Sequence, residues 1–177
     1  ATLEFAILDL LGRIANRSLG RLIGEIHHPE VAVYVATEWR ERPLEEAFDR
    51  IKKAVAEYDA RALKIKVGLD TDEATIEAVR SVTKKPLRVD ANEGWKDREE
   101  AVRKINWLES QGVEFVEQPM PAAMLEETRW VRSRVHIPLI ADEACLHPSD
   151  IPKLAESFDG VNIKLMKCGG ILDARRM

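Results

Sequence analysis

The sequence is poor in cysteine, has no long apolar run and carries no large excess of one charge, and each shortage excludes a class of protein. Two cysteines, Cys145 and Cys168, are too few for a disulfide framework. No stretch approaches ~18 uninterrupted apolar residues, so we expect no transmembrane helix and no membrane partner. The net charge of −4 gives no reason to expect a nucleic-acid partner. The first residues lack the basic leader of a secretory signal. Together these features favour a cytoplasmic protein.

Apolar and charged residues alternate along the chain in short blocks. Runs rich in β-branched residues predict six strands, and apolar residues at helical spacing between them predict helices on the faces of a parallel sheet. The strands are expected at residues 31–37, 62–68, 86–91, 113–119, 138–144 and 160–166. The helices are expected at residues 2–14, 44–58, 72–82, 97–111, 125–133 and 149–156.

One charged residue stands at the end of each of five successive strands. The intervals between neighbours are 24, 27, 25 and 22 residues, and the five are Lys66, Asp90, Glu117, Asp142 and Lys164. A strand, a crossover helix and two short loops take about that many residues, since a crossover alone needs ~10–12. In a (β/α) barrel the active site lies at the strand end that these residues occupy.

The fold class is therefore predicted to be α/β, a TIM-type (β/α) barrel. A closed barrel has eight strands and about 250 residues, whereas six strands are counted in these 177 residues. The alternatives are a doubly wound open sheet and a partial barrel. An open sheet binds its ligand at one switch point and does not require a charged group at five consecutive strand ends. We therefore expect a partial barrel of about six βα units.

The three acids among these residues predict a metal site. Carboxylate oxygens from Asp90, Glu117 and Asp142, with remaining positions left to water and substrate, suit Mg²⁺. No histidine or cysteine stands at the equivalent places, which argues against zinc. The alternative for each acid is a helix cap or a partner for a surface lysine.

The lysines predict acid–base chemistry. Lys64 and Lys66 are two apart in a strand, so they leave the same face, and two adjacent ammonium groups beside a metal favour a lysine with a lowered pKa that can act as a base. The alternative is an outward-facing pair on an edge strand. Lys164 arrives from the other side of the acids, as a racemase or epimerase requires.

Three further polar residues are candidates for the pocket or for support of the site. Asn92 and Glu143 can hold a metal ligand or a lysine in place, and Asn162 shares the face of Lys164. Lys167, followed by Gly169 and Gly170, is a weaker candidate for an anion site, because a glycine turn explains those residues as well.

These motifs resemble the enolase superfamily and, within it, the muconate-lactonizing subgroup. The pieces K-x-K, D-A-N, E-Q-P, A-D-E and N-I-K occur in that family's order, at residues 64–66, 90–92, 117–119, 141–143 and 162–164. The stretch NIKLMKCGGI is most similar to dipeptide epimerases. The resemblance implies that residues 1–25 form a helix joining a missing N-terminal capping domain to the barrel, and that residues 26–177 form a partial catalytic barrel without its last two strands.

The resemblance also implies the roles of the site residues. Asp90, Glu117 and Asp142 would bind Mg²⁺, Lys66 and Lys164 would be opposed acid/base groups, and Lys64 would tune Lys66. The implied reaction is epimerisation of an L-Ala-D/L-Glu type dipeptide by proton transfer through a metal-stabilised enediolate.

The same motifs leave other outcomes open. An o-succinylbenzoate synthase or a muconate-type cycloisomerase would share them, and an inactive barrel fragment is a further alternative. The expected partner is a small dipeptide or other carboxylate, and the unpaired edges of a partial barrel also allow a homo-oligomer.

Overall fold

The computed structural model describes residues 1–24, 35–37 and 61–177, with isolated positions 46, 49, 50 and 53. Those four positions are helical, in agreement with the helix predicted at 44–58. The rest of that helix and the first part of the strand predicted at 31–37 lie outside the described residues. The proposed division of the chain after residue 25 stays a prediction.

A six-stranded parallel sheet organises the described residues. Each strand pairs with its immediate neighbours in the chain, so the order is β1-β2-β3-β4-β5-β6 without reversal. A doubly wound sheet reverses its strand order at a switch point, and this sheet does not. The prediction of a partial (β/α) barrel is confirmed. The strands are β1 (Val35–Thr37), β2 (Leu63–Lys66), β3 (Leu87–Asp90), β4 (Val113–Glu117), β5 (Leu139–Ala141) and β6 (Gly160–Val161).

Helices separate the strands as predicted. Among the described residues, no helix is long and apolar enough to cross a membrane. The helices are α1 (Thr2–Ala15), α2 (Leu19–Ile23), α3 (Asp72–Val82), α4 (Arg98–Ser110), α5 (Leu125–Arg132), α6 (Ile151–Leu154) and α7 (Ile171–Ala174).

Several predicted elements are shorter in the structure, including one helix and the last strand. The helix expected at 149–156 begins as a 3-10 turn, Pro148–Asp150, and continues only through α6. The strand expected at 160–166 ends at Val161. Beyond it the chain turns, and the amide of Lys167 donates to the carbonyl of Lys164 at 2.8 Å.

The hydrophobic core lies between the sheet and its helices. Ile65, Val89 and Val116 from neighbouring strands are fully buried and pack with α3 and α4 side chains such as Ile76 and Ile105. The strands therefore have a fixed face towards the helices. Lys64 leaves the opposite face of β2, yet only 6% of its surface is exposed. Lys64 therefore does not face solvent, which excludes the alternative of an outward-facing lysine pair.

Candidate metal centre

Three carboxylates converge at the carboxyl end of the sheet. Asp90 and Glu117 are the last residues of β3 and β4, and Asp142 directly follows β5. All three are buried, with exposures of 0%, 2% and 0%. One ligand oxygen from each lies within 4.8 Å of the others. Parallel pairing of the three strands produces this arrangement, because it aligns Asp90 with Glu117 and Glu117 with Ile140.

The two lysines of β2 bind the first two carboxylates. Lys64 Nζ lies 2.6 Å from Glu117 Oε2 and 3.0 Å from Asp90 Oδ2. Lys66 Nζ lies 2.6 Å from the same Asp90 oxygen and donates to Asn92 Oδ1 at 2.8 Å. Asp90 is therefore shared by both ammonium groups.

The third carboxylate is also shared by two lysines. Lys164 Nζ donates to Asp142 Oδ2, and Lys167 Nζ donates to Asp142 Oδ1 at 2.9 Å. The sequence pattern indicated for Lys167 only a weak anion site or a place in a glycine turn. The available signal was its spacing, because one tight turn brings a residue three positions after Lys164 back to the same side of the chain.

Lysine contacts keep two of the three acids ionised. Burial alone would raise the pKa of Asp90, but the hydrogen bond from Lys66 and the charge of Lys64 outweigh it and the net pKa is lowered. The pKa of Asp142 is lowered in the same way, since its two ammonium partners outweigh the effect of burial.

Three groups of the site, Glu117, Lys64 and Lys164, have raised pKa values. Burial raises the pKa of Glu117, and the neighbouring charge of Asp90 adds to the effect. Burial lowers the pKa of Lys64, yet the hydrogen bond to Glu117 and the nearby carboxylate charges leave it raised. The pKa of Lys164 is raised because Asp142 outweighs burial. These pKa shifts describe a site in which ammonium groups alone neutralise the carboxylates. A bound divalent cation would change that charge balance.

Of the three supporting residues predicted from sequence, Asn162 and Asn92 contact Glu117 and Lys66 directly, and Glu143 contacts Asn92. Asn162 donates from Nδ2 to Glu117 Oε1 at 2.9 Å. Asn92 donates from Nδ2 to Glu143 Oε1 at 3.3 Å while accepting from Lys66. The structure thus brings every predicted site residue to one rim, although their roles in catalysis stay predictions.

Gln118 is a buried residue of the rim that sequence reasoning did not single out. Its Oε1 accepts from the backbone amides of Asp142 at 2.9 Å and Ala144 at 3.2 Å. Its φ of 37° lies in the left-handed region, which is uncommon for a side chain of this size. Gln118 therefore fixes the loop that carries Asp142. The sequence signal was its position directly after a strand-end acid.

A second buried acid, outside the metal cluster, holds the loop after β2. Asp72 Oδ1 accepts from the amides of Gly68 at 2.8 Å and Leu69 at 2.9 Å. Its Oδ2 accepts from Trp95 Nε1 at 3.1 Å and Lys104 Nζ at 3.0 Å. The loops after β2 and β3 are thereby joined, and Trp95 is buried in this junction.

The donor set fits a hard divalent cation. Asp90, Glu117 and Asp142 offer only carboxylate oxygens, which Mg²⁺ prefers, and none of them is replaced by a nitrogen or sulfur ligand. Buried carboxylates require a compensating cation. In the described residues that compensation comes from four lysines, two of which stand on each flank of the row of acids.

The family follows from a direct match. Residues 46–177 match the family described as Enolase C-terminal domain-like. The chain belongs to this enolase-like family. The resemblance found in the sequence motifs is confirmed.

Curated proteins similar to the chain are named as epimerases. An L-Ala-D/L-Glu epimerase of Bacteroides thetaiotaomicron is 46% identical over 115 residues, covering 65% of this chain and 30% of that protein. An L-Ala-D/L-amino acid epimerase of Maribacter sp. is 36% identical over 175 residues, covering 99% of this chain and 50% of that protein. The chain thus spans about half the length, or less, of these curated relatives.

Solved structures of the family superpose on the chain. A substrate-liganded L-Ala-D/L-Glu epimerase from Bacillus subtilis has a TM-score of 0.88 at 32% identity, covering 99% of this chain and 50% of that one. A dipeptide epimerase from Enterococcus faecalis V583, complexed with Mg and L-Leu-L-Tyr, has a TM-score of 0.86 at 33% identity, covering 96% and 48%.

Proposed function

We propose that the protein containing this chain is an isomerase that epimerises a dipeptide of the L-Ala-D/L-Glu type with Mg²⁺ as cofactor. The observation that carries the proposal is the placement of Lys66 and Lys164 at opposite ends of a row of three buried carboxylates. The two relatives described above that are named for L-Ala-D/L epimerisation, and the Mg-containing dipeptide epimerase structure, support it.

Asp90, Glu117 and Asp142 would hold the metal. A bound Mg²⁺ would supply positive charge to the substrate carboxylate and so stabilise the negative charge that develops when the α-proton leaves. The chain itself contributes the burial of these oxygens and the fixed spacing of the strand ends that carry them.

The lysines would move the proton. One of Lys66 and Lys164 takes the α-proton with its neutral amine, and the ammonium of the other returns a proton to the opposite face, so the configuration of the α-carbon inverts. Lys64 keeps Asp90 and Glu117 together on the side of Lys66. Residues 1–25 would connect the barrel to a capping domain that closes the pocket.

Proton exchange in D₂O tests the proposal. The full-length protein with Mg²⁺ is incubated with L-Ala-L-Glu and followed by ¹H NMR. We expect deuterium at the α-carbon of Glu and the appearance of L-Ala-D-Glu. The proposal would be refuted if both deuterium and the D-epimer were absent with all three of L-Ala-L-Glu, L-Leu-L-Tyr and an N-succinyl amino acid.

The substrate panel separates epimerisation of dipeptides from the related racemisation. An N-succinyl-L-Arg/Lys racemase of Bacillus cereus is 31% identical over 183 residues, covering 100% of this chain and 49% of that protein. If only the N-succinyl amino acid exchanges its proton, the proton-transfer part of the proposal stands and the dipeptide is the wrong substrate. Lys66→Ala and Lys164→Ala are the matched variants, and each should abolish exchange from one epimer only.

A further inference from the structure

The side chain of Glu143 occupies a position that stability alone does not explain. Its Oε1 accepts from Asn92 Nδ2 at 3.3 Å. Its Oε2 is buried and, among the described residues, has no hydrogen-bond partner. A buried carboxylate oxygen without a donor destabilises the folded protein, because nothing replaces the water that the oxygen has lost. A side chain that served only packing would not need a buried negative charge.

The backbone around Glu143 is fixed on both sides. The amides of Asp142 and Ala144 both donate to Gln118 Oε1, so the peptide groups that bracket Glu143 cannot turn freely. Asn92 is fixed as well, because its backbone amide donates to Asp90 Oδ1 at 3.0 Å and its φ is 43°. The two side chains therefore meet between two anchored loops.

Asn92 joins Glu143 to Lys66 with a defined polarity. A carboxylate only accepts hydrogen bonds and an ammonium only donates them. The amide of Asn92 must then direct Nδ2 to Glu143 and Oδ1 to Lys66, as the 3.3 Å and 2.8 Å contacts show. The reverse orientation would place two acceptors together at Glu143.

This polarity bears on catalysis by Lys66. When Lys66 acts as a base, its nitrogen needs an open lone pair directed to the substrate. A reversed Asn92 amide would donate an N–H to that lone pair and occupy it. A glutamine at position 143 would permit the reversal, since its own amide can donate to Asn92 Oδ1.

We propose that Glu143 is a positioning residue that acts through Asn92 to keep the lone pair of Lys66 free for the α-proton. This inference rests on the proposed function and deepens it, because it assigns Glu143 to one of the two faces of the reaction. Glu143 also adds a small electrostatic contribution to Lys164, but Asp142 contributes more there and no hydrogen bond joins the two.

Face-specific exchange tests the assignment. Deuterium incorporation from D₂O is measured separately for L-Ala-L-Glu and L-Ala-D-Glu in the full-length protein with Mg²⁺, and Lys66→Ala identifies the epimer that Lys66 deprotonates. In Glu143→Gln, incorporation into that epimer should fall about 10- to 100-fold, the usual cost of losing a supporting partner in such a site. Incorporation into the other epimer should change less than about 3-fold, as expected for a residue outside that network.

Three controls make the result specific. Glu77→Gln, the same chemical change on the exposed face of α3, should leave both rates unchanged. Glu143→Asp keeps an acceptor-only group and should retain more of the Lys66-side rate than Glu143→Gln does. In an Asn92→Ala background, Glu143→Gln should have little further effect, because the residue through which it acts is gone.

Several outcomes would overturn the inference. An equal loss for both epimers, with weakened Mg²⁺ binding in calorimetry, would show that Glu143 serves the metal site instead. Unchanged rates, or an additive loss in the Asn92→Ala background, would remove its link to Lys66. If Glu143→Gln does not fold, Glu143→Asp decides by selectivity: its shorter side chain reaches Asn92 less well, so any loss should fall on the Lys66-side rate, and an equal loss for both epimers would overturn the inference. No exchange in the wild-type protein would refute the proposed function, and this inference with it.

Discussion

Replacing Asp72 with alanine should strongly destabilise the protein, although Asp72 lies outside the metal cluster. Asp72 accepts four hydrogen bonds, from two backbone amides, the Trp95 indole and the Lys104 ammonium. Its side chain is 5% exposed. The substitution leaves these donors in place and removes the charge that they share.

The size of the effect follows from which donors water can reach. Leu69 is exposed, so solvent can satisfy the two loop amides in part. Trp95 is 2% exposed, and its N–H would lose its partner at about 1–3 kcal/mol. Lys104 would lose a partly buried ion pair. Breaking an ion pair costs about 3–5 kcal/mol when both groups are fully buried, and this partly buried pair should cost less. Together with the unpaired Trp95 N–H, we expect a total loss of about 3–5 kcal/mol.

Urea unfolding of the full-length protein, followed by circular dichroism, measures this loss. Asp70→Ala is the matched control, since Asp70 is an exposed aspartate in the same loop and its loss should cost less than about 0.5 kcal/mol. A loss below about 1 kcal/mol for Asp72→Ala would contradict the reasoning, because it would mean that the four donors find other partners at little cost.

Three other changes test separate parts of the structure. Asp142→Asn should weaken Mg²⁺ binding by about 100-fold or more in calorimetry, since even supporting residues typically contribute 10- to 100-fold; unchanged affinity would exclude Asp142 as a ligand. Gly94→Ala would place a Cβ 2.4 Å from the Cα of Gly68 and should cost at least about 1–3 kcal/mol in urea unfolding. Its control, Gly24→Ala, meets only ordinary contacts and should be nearly neutral. Backbone hydrogen bonds from residues 147 and 146 lower the pKa of Asp150. Its contribution to stability should therefore be present above pH ~4 and be lost as the pH falls through the lowered pKa. Asp150→Asn should remove that part of the pH dependence of unfolding.

The strand-end acids could be predicted because they obey a simple regularity. Parallel strands of similar length place their carboxyl ends at one edge, so Asp90 and Glu117 were expected to meet from spacing alone. The bounds of α3 were predicted correctly for a similar reason, since acids at its start and apolar residues at helical spacing both mark it.

The contacts of Lys167, Gln118 and Asp72 were not predicted, because they depend on local turns. Lys167 reaches Asp142 only because the strand expected at 160–166 ends early and the chain turns back. Gln118 reaches the Asp142 loop from a left-handed backbone conformation that no sequence pattern indicates. Asp72 resembles an ordinary acid at a helix start, although its donors come from three different segments.

The sequential strand order has a consequence for how the protein is made. Because each strand pairs with the one synthesised just before it, two of the rim ion pairs join residues close in the chain, Lys66 with Asp90 at a separation of 24 and Asp142 with Lys164 at 22. Short separations carry a low entropy cost of loop closure. As the chain leaves the ribosome, each new strand can therefore dock on a finished neighbour, and each buried acid can meet a lysine soon after it is made. The paired lysines would then protect the nascent barrel from unpaired charge before any metal ion arrives.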